Sequence, residues 1–173
     1  LGASVAYDAG FATLTAGYTY FFFFNGYTGN GAGQTFASEL FLSAAKTVGP
    51  VNVTATYAHD LYIDAGYAEV AVDKSFALND STSLVLKATA GYSIGGYYTN
   101  FTTGAFNTGT ESVWTHVGLN ASLPIALSKT ATLTPYIAYN ISGAGRTETN
   151  TANSVYGADD DQLFFGFSLK AVF

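Results

Sequence analysis

Apolar and polar residues alternate along most of this chain, and the alternation restarts after each cluster of turn-forming residues. Over 13–24, Leu14, Ala16, Tyr18, Tyr20, Phe22 and Phe24 hold one parity, while Thr13, Thr15, Gly17 and Thr19 hold the other. Successive side chains of a strand point to opposite faces, so a sustained period of two predicts a strand with one apolar face. The same pattern predicts strands over 1–8, 36–46, 51–63, 66–78, 83–94, 112–123, 131–142 and the final stretch 162–173. In that last segment Leu163, Phe165, Phe167, Leu169, Ala171 and Phe173 share one face, opposite Gln162, Phe164, Gly166, Ser168, Lys170 and Val172. Nine strands result, with no stretch that reads as a helix or a linker. The expectation is one all-β domain over 1–173. Pro135 falls inside a predicted strand, and because proline cannot donate to a ladder, a local irregularity is expected there.

Composition decides what kind of all-β chain this is. Hydrophobic residues make up 49% and charged residues 10%, against roughly 25% charged in an average soluble domain. Mean hydropathy is +0.22. Yet the longest purely apolar run is Tyr20-Phe21-Phe22-Phe23-Phe24, far short of the ~20 residues a membrane helix needs. An apolar chain without a long apolar run is the signature of a transmembrane antiparallel up-and-down β-barrel, whose lipid-facing residues are diluted one-for-one by inward ones.

The connections supply a direction. Short ones near 8–10, 46–50, 79–82 and 124–130 alternate with longer ones at 25–35, 60–66, 95–110 and 143–161. Outer-membrane barrels have short periplasmic turns and longer outer loops, so the final strand is expected to run down toward the periplasm. Aromatics then gather at the expected outer ends: the Tyr20 to Phe24 run, Tyr62, Tyr67, Tyr92, Tyr97 and Phe164 to Phe167. Phe11, Phe76 and Phe173 mark the opposite ends. That is the distribution of two interfacial girdles.

Bacterial barrels have even strand numbers, and nine is odd. Two readings stand. Residues 1–8 are a partial strand or plug beside an eight-stranded barrel, or the chain belongs to a larger barrel of 10–12 strands whose first strands lie upstream. The clean alternation of 1–8 favours the second. Residue 1 is Leu and no charged-then-apolar leader opens the sequence, so it reads as a mature or truncated polypeptide, or one trimmed to its ordered part.

Two resemblances sharpen the expectation. The terminal strand ending on Phe173 resembles the C-terminal signal by which the outer-membrane assembly machinery recognises its clients. The stretch His116-Val-Gly-Leu-Asn-Ala-Ser-Leu-Pro-Ile-Ala-Leu127, the segment Thr132-Leu-Thr-Pro-Tyr-Ile-Ala-Tyr139, and Asp161-Gln-Leu-Phe-Phe-Gly-Phe-Ser-Leu169 resemble the C-terminal half of the TorF-like porins of bacterial outer membranes. The hairpin Tyr7-Asp-Ala-Gly-Phe-Ala-Thr-Leu-Thr-Ala-Gly-Tyr18 resembles that family as well. The resemblance implies a barrel larger than eight strands and passive transport, and it brings no site residues.

Candidate chemistry therefore comes from the inward face. The expected lumen-lining residues are Glu39, Glu69, Asp73, Lys87, His116, Asn120, Asn140 and Lys170, with Asn52, Thr54, Thr56 and Thr89 among them. In a narrow barrel such groups pair and plug the interior; in a wider one they line water and set ion selectivity. For Lys87 and Asp73, which flank one predicted hairpin, the blander expectation is a satisfied salt bridge.

Catalytic readings weigh less. His59-Asp60 and His116 with Ser122 are the only near-coincidences, and neither lies in a nucleophile motif. Asp159-Asp-Asp161 lacks the spacing of a calcium loop, so a solvated acidic loop is expected. The glycine-rich stretch 29–33 has no helix or lysine beside it to cradle a phosphate. No enzyme activity, cofactor or metal is expected. A net charge of −6 argues against nucleic acid. The expected partners are the lipid bilayer, lipopolysaccharide and the assembly machinery; the oligomeric state is open.

The leading functional expectation is thus a porin-like passive channel for small solutes or ions in a bacterial outer membrane. The rival is a closed barrel with a structural or adhesive role, acting through its extracellular loops.

Overall fold

The computed structural model of the chain describes residues 1–27, 34–62, 64–95, 112–142 and 161–171. The strands in chain order are β1 (Gly2–Asp8), β2 (Thr13–Tyr27), β3 (Gln34–Val48), β4 (Val51–Asp60), β5 (Ala65–Asn79), β6 (Thr82–Ile94), β7 (Val113–Ser122), β8 (Ile125–Ala126), β9 (Ala131–Ser142) and β10 (Gln162–Ala171). They form one antiparallel up-and-down sheet in the order β1-β2-β3-β4-β5-β6-β7-β9-β10, with β8 pairing β6 and β9. No helix occurs among the described residues. All nine expected strands are present. Phe173, Tyr97, Asp159, Asp160 and the glycine-rich stretch 29–33 lie outside the described residues.

The connections are built by local chemistry. Asp8 Oδ1 accepts from Gly10 N at 2.8 Å, Asp60 Oδ1 from Tyr62 N at 2.7 Å, and Asn79 Oδ1 from Ser81 N at 2.9 Å. Each side chain thereby mimics the first bond of a backbone turn. Gly10 turns with φ of 80°, which a β-carbon would resist. Strands β2 and β3 run longer than the alternation alone predicted, reaching Tyr27 and Gln34 within the connection expected over 25–35.

Pro135 carries the irregularity its chemistry demands. Its carbonyl accepts from Leu123 N at 2.9 Å, so its nitrogen, on the same side of an antiparallel strand, faces the gap between β7 and β8. There the ladder steps from Ser122↔Tyr136 to Ile125↔Leu133. On the other side, Pro135 sits in unbroken register opposite Phe167 of β10. β8 is therefore the tail of β7, displaced where proline has no proton to give, and nine strands cross the sheet. Alternating directions leave β1 and β10 running the same way. Among the described residues no ladder joins them.

Among the described residues the sheet has almost no core: the buried hydrophobic ones are Ala58, Ala65, Ala71 and Ala138. The register places Leu42, Tyr57, Ala68 and Tyr92 in one cross-strand row, and Ala44, Ala55, Val70, Ala90, Val117 and Ile141 in the next. These rows make one continuous apolar face, and it is open: Leu42, Val70, Val117 and Ile141 are each over 40% exposed. The opposite face carries most of the polar residues, while Lys46, His59 and Lys74 lie on the apolar one.

Aromatics cluster on the apolar face near the long connections. Tyr20 stacks on Phe36 at 6.0 Å, Phe36 meets Tyr62 edge-on at 6.2 Å, and Tyr92 meets Trp114 edge-on at 5.2 Å. Trp114 corrects the simple alternation, which set it beside His116 on the polar face. Between Gly91↔His116 and Tyr92↔Trp114 the register shifts, leaving Thr115 as the extra residue of a bulge. The bulge flips parity and turns Trp114 to the apolar side. Several rings also fill the space left by a glycine on a neighbouring strand: a β-carbon at Gly17 would meet Phe41 at 2.5 Å, one at Gly66 the Tyr57 hydroxyl at 2.6 Å, and one at Gly166 the Tyr136 hydroxyl at 2.8 Å.

Candidate functional site

The polar face orders the expected residues into cross-strand rows. Nearest the long connections, Glu39 lies directly opposite Asp60. Midway along the strands comes the row Glu69–Gly91–His116. Toward the short turns comes Asn52–Asp73–Lys87–Asn120. Asn140 sits between these rows, opposite Gly118, and Lys170 pairs with Thr132 close to the short-turn end. All eight sequence-predicted residues share this face.

The middle row holds the densest chemistry. Gly91 separates Glu69 from His116, and because it has no side chain the two groups reach over β6 toward each other. His116 Nε2 lies 4.0 Å from Glu69 Oε2, an ion pair only when the imidazole is protonated. Tyr67 fills the space above Gly91; a β-carbon there would collide with the Tyr67 hydroxyl and with His116. From that position Tyr67 donates its hydroxyl proton to Glu69 Oε2 at 2.9 Å and stacks on the imidazole at 6.3 Å, the planes within 10°. His116 Nδ1 completes the set 3.1 Å from Thr115 Oγ1. Thr115 and Ser93 are fully buried, while the His116 side chain keeps 14% and Glu69 28% of their exposure.

Tyr67 was expected in an interfacial girdle, and the structure moves it to the polar face. The signal was there: Tyr67 has the parity of Glu69. Thr115 had no such signal, because its place depends on the bulge.

The row toward the short turns overturns one expectation. Asp73 and Lys87 are direct register partners, yet no ion pair joins them among the described residues. Asp73 Oδ2 instead accepts from Asn52 Nδ2 at 3.0 Å, and Asn52 Oδ1 accepts from Thr47 Oγ1 at 2.8 Å. The lysine stem is long and its ammonium can stay hydrated, whereas the short asparagine is held at the right height by its own strand. Lys87 is exposed.

The catalytic near-coincidences dissolve in the geometry. His59 and Asp60 are consecutive in β4 and so point to opposite faces. His59, on the apolar face, has Tyr57 Oη 3.3 Å from Nδ1 and Asp64 Oδ1 3.1 Å from Nε2. Ser122 lies six positions along β7 from His116, about 20 Å at strand rise. Among the described residues no group of three His, Cys, Asp or Glu side chains is placed to hold a metal. Asp161 of the acidic loop accepts from the Tyr139 hydroxyl at 2.7 Å.

Charge on the polar face is unequal. Asp8, Glu39, Asp60, Glu69 and Asp73 oppose two cations, Lys87 and Lys170, among the described strand residues. Such a surface attracts small cations and orders water. Comparison of the chain with protein-family models, with curated proteins and with solved structures finds no match, so the chemistry of the two faces carries the functional reading.

Proposed function

We propose that this chain forms a transmembrane β-barrel of a bacterial outer membrane and works as a porin-like passive conduit for small solutes or ions, with a preference for cations. The observation that carries this reading is the exposed apolar face. Phe165 is 84% exposed, Phe167 76%, Leu163 66% and Leu169 65%, on one strand. Soluble proteins rarely leave contiguous apolar patches beyond a few hundred Å2 in water. Lipid removes that cost at roughly 25 cal/mol per Å2 covered. Closure of the wall follows strand direction. Because β1 and β10 run the same way, an antiparallel barrel takes an odd number of further strands between them.

The cation preference rests on the carboxylate excess of the polar face. Single-channel recording of the detergent-extracted protein in a planar bilayer under a KCl gradient tests both statements. Stable conductance steps with a reversal potential toward that of K⁺ are expected. Silence from correctly folded, heat-modifiable protein would sink the conduit. The closed structural or adhesive barrel is then the reading that stands, and the linked side chains Tyr67, Glu69, His116 and Thr115 favour it, since a satisfied polar network fills space.

A further inference from the structure

We propose that the apolar face holds one anionic phospholipid at a defined site, its acyl chain lying in a groove across β5 to β10 and its phosphate met by Lys74 and Lys46. This rests on the membrane reading above. The groove measures about 520 Å3, inside the ~300–1,000 Å3 of ordinary small-molecule sites. Two adjacent register rows build it. One runs Val72–Ala88–Leu119–Tyr139–Leu163, the other Lys74–Leu86–Ala121–Ile137. Ala88 and Ala121 are the low points, and the longer side chains of Leu86, Leu119 and Ile137 beside them form the walls. Four strand steps from β5 to β10 span about 19 Å, a length suited to one extended acyl chain.

One end of this apolar trough carries Lys74 on the apolar face, with Lys87 and Asp73 of the polar face also in its lining. The Lys74 ammonium sits 4.8 Å from the centroid of the Phe76 ring. Among the described residues no carboxylate pairs with it. Lys46 shares the face: it stands opposite Val53, which stands opposite Val72. That places it two strands from β5, about 10 Å away; Lys46 is exposed where Lys74 is half-buried, and it too has no ion-pair partner among the described residues. A lysine on the lipid side of a barrel is unfavourable except near an interface. Lys74 stands five residues inside the end of β5, where a phosphate drawn between the two ammonium groups supplies the missing counter-charge. An apolar groove ending in two unpaired cations is complementary to a lipid with one negative head. A zwitterionic lipid, whose own ammonium meets the lysines, fits it less well.

The test is to fold the chain into vesicles of equimolar phosphatidylglycerol and phosphatidylcholine, extract it gently and weigh the retained lipid by native mass spectrometry. With each lysine near the surface contributing about fivefold, the wild-type chain should retain one phosphatidylglycerol at about twenty-fivefold preference, Lys74→Gln at about fivefold, and Lys74→Gln with Lys46→Gln near parity. Ala121→Leu, or Ala88→Leu if the first fails to fold, should abolish retention of either lipid by filling the trough. Equal retention of both lipids by the wild-type chain, an unchanged ratio in Lys74→Gln, or persistent phosphatidylglycerol binding in a folded groove-filled variant would each overturn the site. A chain that gives no heat-shifted, folded species in any vesicle would instead overturn the membrane reading on which it stands.

Discussion

His59 and His116 are surrounded by the same kinds of partner on opposite faces of one sheet. Each has a tyrosine, a carboxylate and a ring contact. His59 has Tyr57 and Asp64, its side chain one third exposed and Asp64 93% exposed in the β4–β5 connection. His116 has Tyr67, Glu69 and Thr115, mostly out of solvent. The difference lies in what holds each set in place. Asp64 is a connection residue with φ of 52°, whereas Glu69, Tyr67 and Thr115 are fixed by three ladder-bonded strands and a bulge. Equivalent partners at a rim make a loose contact; clamped between strands they make a structural element.

The two clusters differ most at their glycines. Gly91→Val drives a branched side chain into Tyr67, His116 and the buried Thr115, and should cost about 3 kcal/mol by the usual scale of overpacking, read from urea unfolding of the vesicle-inserted protein. At Gly66 the nearest atoms to an added β-carbon are the hydroxyl end of the Tyr57 ring, which can swing outward, so Gly66→Val should cost about 1 kcal/mol in the same assay. Equal losses would show that the two clusters are held alike.

Removal of the imidazoles comes next. His116→Ala strips Thr115 of a hydrogen-bond partner and Tyr67 of its stacking surface, for an expected loss of about 2 kcal/mol. His59→Ala removes an exposed pair and should stay within about 0.5 kcal/mol of wild type. A larger loss from His59→Ala than from His116→Ala would reverse the ranking.

A third pair sharpens the functional side. On the conduit reading proposed above, Glu69→Gln keeps the shape of the polar cluster and removes its charge, so the reversal potential should move measurably away from that of K⁺ while the conductance changes little. Asp64→Asn, on the other face, should leave the reversal potential where it was. The smallest effect expected is on stability in Asp64→Asn, below about 0.5 kcal/mol.

Much of this architecture was legible in the sequence because a period of two has one structural meaning. Leu14 and Thr15, or Val70 and Glu69, reach opposite faces with no help from their neighbours in space. The Pro135 irregularity was equally local, since the missing proton belongs to the residue itself. What escaped was set by pairing. Trp114 turned over because Thr115 bulges against Gly91, and nothing within β7 alone announces a bulge. Asp73 chose Asn52 over Lys87 because both flank it at the same height and the shorter donor is already in place. The Glu69–His116 approach needed Gly91 between them, a condition on three strands at once.

The rings that lie over glycines have a consequence for how the sheet is made. Phe41 over Gly17, Tyr67 over Gly91 and Tyr136 over Gly166 each fit a vacancy one residue wide. A one-residue slip sends the ring to the other face; a two-residue slip keeps the face but leaves the ring facing a filled position. These pairs therefore work as keys and slots spread across the width of the sheet. A strand docked one notch off meets a closed slot and can leave before its neighbours lock it in, so the proofreading of register is written into the same side chains that complete the sheet.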